Sequence, residues 1–296
     1  MSAFDDLSIR MKTNYENIPK IKLMRRCPVA IRIDGKAFHS FTRGFARPFD
    51  DVLIQSMQDT MKYLCENIQG CVVGYHQSDE ITLVLVDYRT LDSQAWFDYE
   101  VQKMTSISAS MATMYFNKAF EYHVKDFLDK HCIGGVGLDG KILIDTPENQ
   151  KLYEAYQRAL SKGAMFDSRV FSIPKEEVTN MIYWRQVDAS RNSVQMVGQT
   201  YFSKKELHSV PNKLIQDMLI TRKDINWNDY PVYKKRGSCC IKTQVEVNGA
   251  TRSRWIVDLD IPIFRGEDRQ YIEKLINFEE SEGIIHNESS NSSETP

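Results

Sequence analysis

Two acidic positions stand where apolar runs end. Asp34 directly follows Val29-Ala-Ile-Arg-Ile33 and precedes Gly35. Asp79 and Glu80 close the bend His76-Gln77-Ser78-Asp79-Glu80, which joins the β-type runs 71–75 and 81–86. Carboxylates gathered at one sheet edge can hold two Mg²⁺ ions about 3.5–4 Å apart, the clamp for in-line phosphoryl transfer. Mg²⁺ takes one or two carboxylates plus substrate phosphates, so a small ligand set is enough. Gly35 lets the backbone approach a ligand closely, and its carbonyl offers a third oxygen. The same residues also suit a pair of turn-forming aspartates, and placement alone does not choose between the two.

Whether the carboxylates meet depends on the elements that carry them. Residues 29–33 alternate in strand fashion after Pro28. Asp50 and Asp51 open a helix. Its apolar positions Leu53, Met57, Met61, Leu64 and Ile68 recur every three or four residues, and Gly70 ends it. The bend 76–80 is too short for a crossover helix, so the runs 71–75 and 81–86 pair as an antiparallel hairpin. A long helix is expected over 95–118, with Val101, Met104, Ile107, Met111 and Met114 as its core stripe. Strands at 139–145 and 166–173 flank a helix near 148–162. Pro174, with Glu176 and Glu177 in the first turn, opens a helix to about 187. Ser203 and Glu206 have capping-box spacing. Asn248-Gly249 marks a hairpin between 237–247 and 251–259.

The leading order, β-α-β-β-α-β, is the split βαβ of a ferredoxin-like sheet. The expected fold class is therefore α+β, an antiparallel sheet with helices on one face, extended by additional helices and a C-terminal β-hairpin. In such a sheet the first and third strands are antiparallel central neighbours. The end of one and the start of the other share an edge, which brings Asp34 beside Asp79.

Composition permits this reading. The 296 residues are 42% hydrophobic and 26% charged, ordinary for a globular chain, and no apolar run approaches the length of a membrane span. Met1 to Arg10 lack a signal-peptide pattern, so a cytoplasmic chain with reduced, mostly buried cysteines is expected. The net charge of −2 includes −5 on residues 278–296, leaving +3 on residues 1–277, which permits a polyanionic partner. Two motifs are decoys. Gly135-Val-Gly137-Leu-Asp-Gly140-Lys141 imitates a nucleotide loop, yet it follows a helix and precedes a β-like run, the reverse of what such loops require. His123, His131, His208 and His286 stand alone, with no metal-binding spacing.

In their order along the chain, these residues resemble the tRNA-His guanylyltransferase family of 3′–5′ nucleotide polymerases. Ile31-Arg-Ile-Asp-Gly-Lys-Ala-Phe-His-Ser-Phe41 is similar to its first metal motif, and Gly74-Tyr-His-Gln-Ser-Asp-Glu80 to its second. Phe45-Ala-Arg-Pro-Phe-Asp50, Phe166-Asp-Ser-Arg169, Tyr183-Trp-Arg-Gln-Val-Asp188 and Tyr233-Lys-Lys-Arg-Gly237 match further blocks, over about residues 5–242. The resemblance implies a polymerase-like palm with two Mg²⁺ ions on Asp34, the Gly35 carbonyl and Asp79, supported by Glu80. It implies nucleotide contacts from Lys36, Ala37, Phe38, His39, Arg47, Ser78, Lys103 and Ser110. It implies ATP and GTP or other nucleoside triphosphates as substrates, tRNA as partner and a homotetramer. Arg185, Asp188, Asn192, Lys234, Lys235 and Arg236 are the expected tRNA contacts. On this reading residues 1–173 form the catalytic core, 174–277 complete the fold and contact tRNA, and 278–296 are a disordered acidic tail.

The chain departs from the family after Asp188. Eukaryotic members carry His-Ile-Asn-Asn-Leu-Tyr-Asn there; this chain has Ser190-Arg-Asn-Ser-Val-Gln-Met196, keeping only Asn192 in register. Glu100 also stands where eukaryotic members have a basic residue. The replaced stretch favours templated repair of 5′-truncated tRNAs over a role dedicated to tRNA-His, and Glu100 implies different triphosphate contacts. A palm-type nucleotide cyclase and a non-catalytic tRNA-binding protein are the alternatives. The first gives no reason for the blocks at 184–186 and 233–237, and the intact carboxylates argue against the second.

Overall fold

The computed structural model describes residues 3–136, 142–247 and 250–278. The hairpin turn Asn248-Gly249, part of the glycine loop and the acidic tail lie outside the described residues. In chain order the elements are α1 (Ala3–Met11), β1 (Val29–Gly35), α2 (Phe38–Phe41), α3 (Asp51–Asn67), β2 (Cys71–Gln77), β3 (Glu80–Leu85), α4 (Val101–His131), β4 (Cys132–Val136), β5 (Ile142–Ile144), α5 (Pro147–Lys162), β6 (Phe166–Ser172), α6 (Val178–Tyr201), α7 (Asn212–Lys223), α8 (Val232–Arg236), β7 (Ser238–Val247), β8 (Ala250–Asp258) and α9 (Gln270–Asn277). Six strands form one antiparallel sheet in the order β6-β1-β3-β2-β7-β8. Its first four strands have the expected ferredoxin-like order, and the C-terminal hairpin lengthens the sheet beyond β2.

Alternation along β1 sorts its side chains to two faces. Val29, Ile31 and Ile33 pack with α3, α4 and α5 on one face. Ala30, with Val73, Tyr75 and Val84, packs under α6 and α9 on the other. The additional helices thus cover the second face of the palm sheet. Register then fixes the polar rows on that second face. Asp34 lies opposite Glu80 on β3 and Asp167 on β6, and Arg32 lies opposite Thr82 and Arg169.

The first turn after β1 rests on aromatic packing. Phe38 meets Phe41, Phe116 and Phe166 with ring centroids 5.1, 5.5 and 5.1 Å apart. Its ring lies over Gly35, where an added Cβ would stand 2.2 Å from a ring carbon. Gly35 is therefore required by packing as well as by any ligand. Helix α3 begins where the sequence predicts. The Asp50 carboxylate caps it, accepting from Leu53 N at 2.9 Å, from Ala46 N at 2.9 Å and from the Tyr156 hydroxyl at 2.8 Å.

Three expectations are corrected. Helix α4 starts later than 95 and continues to His131, because residues 96–99 form a separate turn with left-handed Phe97 and Asp98. Its buried stripe is Met104, Ser108, Ala112, Phe116, Ala119, Phe120 and Val124, whereas Ile107 and Met114 are exposed. Small Ser108 and Ala112 give little hydropathy signal, yet they bring the helix close to β6, where the Ser108 hydroxyl bonds that of Ser168 at 2.8 Å. A short strand, β4, precedes the glycine loop, so the decoy sits between two strands that pair with each other. Helix α6 opens one turn after Pro174 and runs on to Tyr201, carrying the replaced stretch 190–196 on a continuous helix. The Ser203–Glu206 capping box forms at 2.9 and 3.3 Å, but only turns follow it. No described helix is long and apolar enough to cross a membrane.

Replacing Asp50 by Ala strands three donors at a buried helix start. Chemical denaturation is expected to show a loss of about 3 kcal/mol for Asp50→Ala and about 1 kcal/mol for Tyr156→Phe. Unchanged stability in the Asp50 variant would refute the cap's importance.

Candidate active site

The site forms where β1 ends and β3 begins. The Gly35 amide donates to the Asp79 carbonyl at 3.1 Å, tying the two turns together. Ser78 sits in the left-handed region at φ 52°, and its hydroxyl donates to Asp79 Oδ1 at 3.2 Å. Burial, then the charge of Asp34, push the Asp79 carboxyl above its ordinary value. Burial and Asp167 push Asp34 up against the pull of Arg169, Arg185 and Arg32. The two expected carboxylates thus share one electrostatic environment in which each negative charge is costly. A divalent cation would relieve that cost, and the donors are hard oxygens, so the set fits Mg²⁺. Among the described residues no group of three or more His, Cys, Asp or Glu side chains forms a cage by itself; Mg²⁺ shared with phosphates needs none.

Glu80 is not free to bind an ion. Arg185 of α6 grips it with two hydrogen bonds, Nε to Oε1 at 2.7 Å and Nη2 to Oε2 at 2.9 Å, and also reaches Asp188 at 3.1 Å. Behind the Ser78 turn, buried His76 donates from Nε2 to the Ser78 carbonyl at 2.9 Å. Its Nδ1 faces the Ser238 hydroxyl at 3.4 Å, which in turn accepts from Gln58 at 3.3 Å. This arrangement uses the neutral imidazole, and burial pushes the His76 pKa down to about 4.

A cavity of about 490 Å³ opens beside the carboxylates. It gathers Gly35, Ala37, Phe38 and His39 from the β1–α2 turn, Arg47 from the loop before α3, and Ser78 and Asp79 from the β2–β3 turn. Helix α6 closes it with Met196 and Gln199. Those two were missed in the sequence, because only the tertiary path of α6 brings them here. Lys36 is exposed beside this turn, its amide donating to the Met165 carbonyl at 2.9 Å. Lys103 and Ser110 are exposed on α4 and do not line the cavity; Lys103 faces Glu100 at 3.7 Å, and Ser110 donates to the Ser106 carbonyl at 2.7 Å. Strand register puts Asp167 and Arg169, of the Phe166–Arg169 block, beside Asp34 and Arg32, a placement that local pattern does not signal.

The expected tRNA contacts divide. Arg185 and Lys235 are buried, so neither is on a surface open to RNA. Arg185 is spent on Glu80, and Lys235 donates to the Asn228 carbonyl. A basic side chain's type does not report its burial, which is why the sequence misplaced them. Asp188 is engaged by Arg185, and Lys234 pairs with Asp51 at 2.6 Å. Asn192 and Lys234 line a narrow cavity of about 80 Å³ that shares Ser78, Leu53 and Met196 with the larger one. Arg236 lines a separate cavity.

Residues 9–174 match the family model described as tRNAHis guanylyltransferase. The chain belongs to the tRNA(His) guanylyltransferase family. A solved bacterial tRNA(His) guanylyltransferase-like protein in complex with ATP is 41% identical, with a TM-score of 0.71 over 91% of this chain and 98% of that one. The same kind of protein in complex with GTP is 39% identical, with a TM-score of 0.70 over 92% and 99%. The tRNA(His) guanylyltransferase of Saccharomyces cerevisiae is 24% identical over 232 residues, 73% of this chain and 83% of the relative. The α+β palm with its antiparallel sheet and the nucleotidyltransferase class read from the motifs stand with this family.

His76 gives a pH test. Its folded pKa lies below the ordinary value near 6.5, so the unfolded chain binds more protons in between. Its contribution is complete above about pH 6.5 and is lost as pH falls toward about 4. Raised carboxyl groups act with the opposite sign, so the comparison is between variants. Urea melts across that window should show wild type losing roughly 3 kcal/mol more than His76→Asn. Parallel slopes for the two proteins would contradict a buried neutral imidazole.

Proposed function

We propose that the protein adds nucleotides to the 5′ end of tRNA in the 3′-to-5′ direction, as a cytoplasmic enzyme repairing 5′-truncated tRNAs. The observation that carries this is the cavity of about 490 Å³ with Gly35 and Asp79 in its wall, the charge of Asp34 acting on Asp79, in a chain of this family. Two similar structures are complexes with ATP and GTP, and those nucleotides suit this cavity. First, a 5′-phosphate oxygen of the tRNA attacks the α-phosphorus of ATP, and pyrophosphate leaves. Next, the 3′-hydroxyl of an incoming nucleoside triphosphate attacks the activated 5′-phosphorus, and AMP leaves. Removal of pyrophosphate then returns a 5′-monophosphate.

The chain's own groups position the reactants and balance charge. Asp34, Asp79 and the Gly35 carbonyl would hold two Mg²⁺ ions, which neutralise phosphate charge and favour ionisation of the attacking hydroxyl. Ala37, Phe38, His39 and Ser78 line the nucleotide, Arg47 supplies a cation to its phosphates, and exposed Lys36, Lys103 and Ser110 are the further phosphate contacts that the family resemblance implies. Glu80 acts through Arg185, fixing α6 and thereby Met196 and Gln199. Residues 1–173 are the catalytic core. Residues 174–277 complete the nucleotide cavity and carry the tRNA surface. A homotetramer is the expected assembly.

Asp34→Ala and Asp79→Ala should each lower nucleotide addition by several orders of magnitude in Mg²⁺ while leaving the circular dichroism spectrum unchanged. Near-wild-type turnover in either variant would sink the carboxylate assignment.

Specificity has its own test. With Ser190–Met196 in place of the histidine-dedicated stretch, selection rests on pairing with the opposing 3′ strand, and the protein contacts mainly phosphates and sugars. Truncated tRNAs of different identity with matched opposing bases should be extended at similar kcat/KM. A preference of about a hundredfold for tRNA-His, roughly 2.7 kcal/mol in the transition state, would instead establish a dedicated tRNA-His guanylyltransferase.

A further inference from the structure

A second cavity, of about 420 Å³, opens between α6, α7 and the segment leading into α8. It shares no lining residue with the nucleotide cavity. Three arginines line it, Arg191 from α6, Arg236 from α8 and Arg265, and no acidic residue does. Among the described residues, none of the three side chains has an ion pair or hydrogen bond, unlike Arg185 or Arg269. Arginines without a partner around a hollow leave their donors open to a bound anion.

The same wall offers a surface for a base. Trp227 lines the cavity with its indole held in place, Nε1 donating to the Ser193 hydroxyl at 3.1 Å. Tyr183 faces it from α6, and the Gln216 amide supplies donors and acceptors at its margin. A planar aromatic, forked cations and an amide around a volume in the range of small-ligand sites are what a nucleotide with its phosphates requires. Arg191 belongs to the stretch 190–196 that differs from the eukaryotic members.

We propose that this cavity binds one unpaired nucleotide of an RNA strand, its base against Trp227 and its flanking phosphates on Arg191, Arg236 and Arg265. A strand crossing the cavity presents a phosphate on each side of a base, which matches cations from three separate segments better than a single terminal phosphate does. The source of that strand, the single-stranded part of a tRNA, rests on the function proposed above. The binding itself requires no turnover and is tested apart from it.

The test uses the full-length protein and three probes: a short single-stranded RNA, GMP, and ATP. Tryptophan fluorescence and filter binding are followed across a salt series. Wild type should bind the RNA with fluorescence quenching that Trp227→Phe removes. The double variant Arg191→Gln/Arg265→Gln should weaken RNA binding at least tenfold, lower the salt slope by about 0.7 per arginine removed, and leave ATP binding within twofold. If the double variant melts early, Arg265→Gln alone carries the test, since that residue is exposed and outside the helices and strands. Unchanged RNA affinity and salt slope in the variants would overturn the proposal, as would GMP binding as tightly as the RNA. Parallel loss of ATP binding would also overturn it, because the two cavities would then be one site. A wild type that binds the RNA as described yet fails to extend any tRNA would remove the proposed function and leave this site standing.

Discussion

The ion pair between Arg185 and Glu80 is the contact on which the rest of the site depends. It is buried, bidentate and joins helix α6 to the strand that begins at the carboxylate edge. Buried pairs gain little over an apolar pair, but losing one partner leaves a charge stranded in low dielectric. The pair therefore acts as a registration pin. With it, α6 lies at one position along the sheet, and residues eleven and fourteen places further on, Met196 and Gln199, arrive at the nucleotide cavity. Without it, Glu80 would face Asp34 in the same row with its main neutralising partner gone, while Arg32 reaches it only at 4.0 Å.

The sheet imposes the second constraint. Pairing in β1, β3 and β6 sets acidic side chains in one row and basic ones two residues behind. A slip of one residue would turn these groups to the apolar face. The apolar residues of β1 prevent that slip, since Ile31 and Ile33 are fully buried under α3 and α4. Catalytic geometry is in this sense a by-product of hydrophobic alternation. The carboxylates keep raised proton affinity because burial that secures the register also dries their surroundings.

What was legible in the sequence follows from this. Asp34, Asp79 and Glu80 sit at strand ends, where local pattern alone gives position, and the palm order follows from alternation and a short bend. Asp50 was legible as a helix opener for the same local reason. Asp167 lacked any such marker, because its partner in register is more than a hundred residues away. Met196 and Gln199 look like ordinary helix residues until the path of α6 is known. Arg185 and Lys235 were expected tRNA contacts because the motif blocks give residue type and order and say nothing of depth. The core stripe of α4 was misassigned where Ser108 and Ala112 replace large apolar side chains, since close approach favours small residues that hydropathy ignores.

The glycine at the end of β1 has a consequence for how the site is kept in tolerance. Phe38 lies over Gly35 and is itself wedged among Phe41 of its own short helix and Phe116 and Phe166 from two further places in the chain. The backbone that presents the Gly35 carbonyl is thus gauged by a cluster of rings on one side and by the Gly35 and Lys36 amide hydrogen bonds on the other. Shaving one ring, even Phe116 on the far helix, would let the turn settle toward the core. Reacting groups lose as much as a hundredfold in rate for about an ångström of displacement, so the aromatic cluster works as a spacer whose thickness sets the alignment of the chemistry beside it.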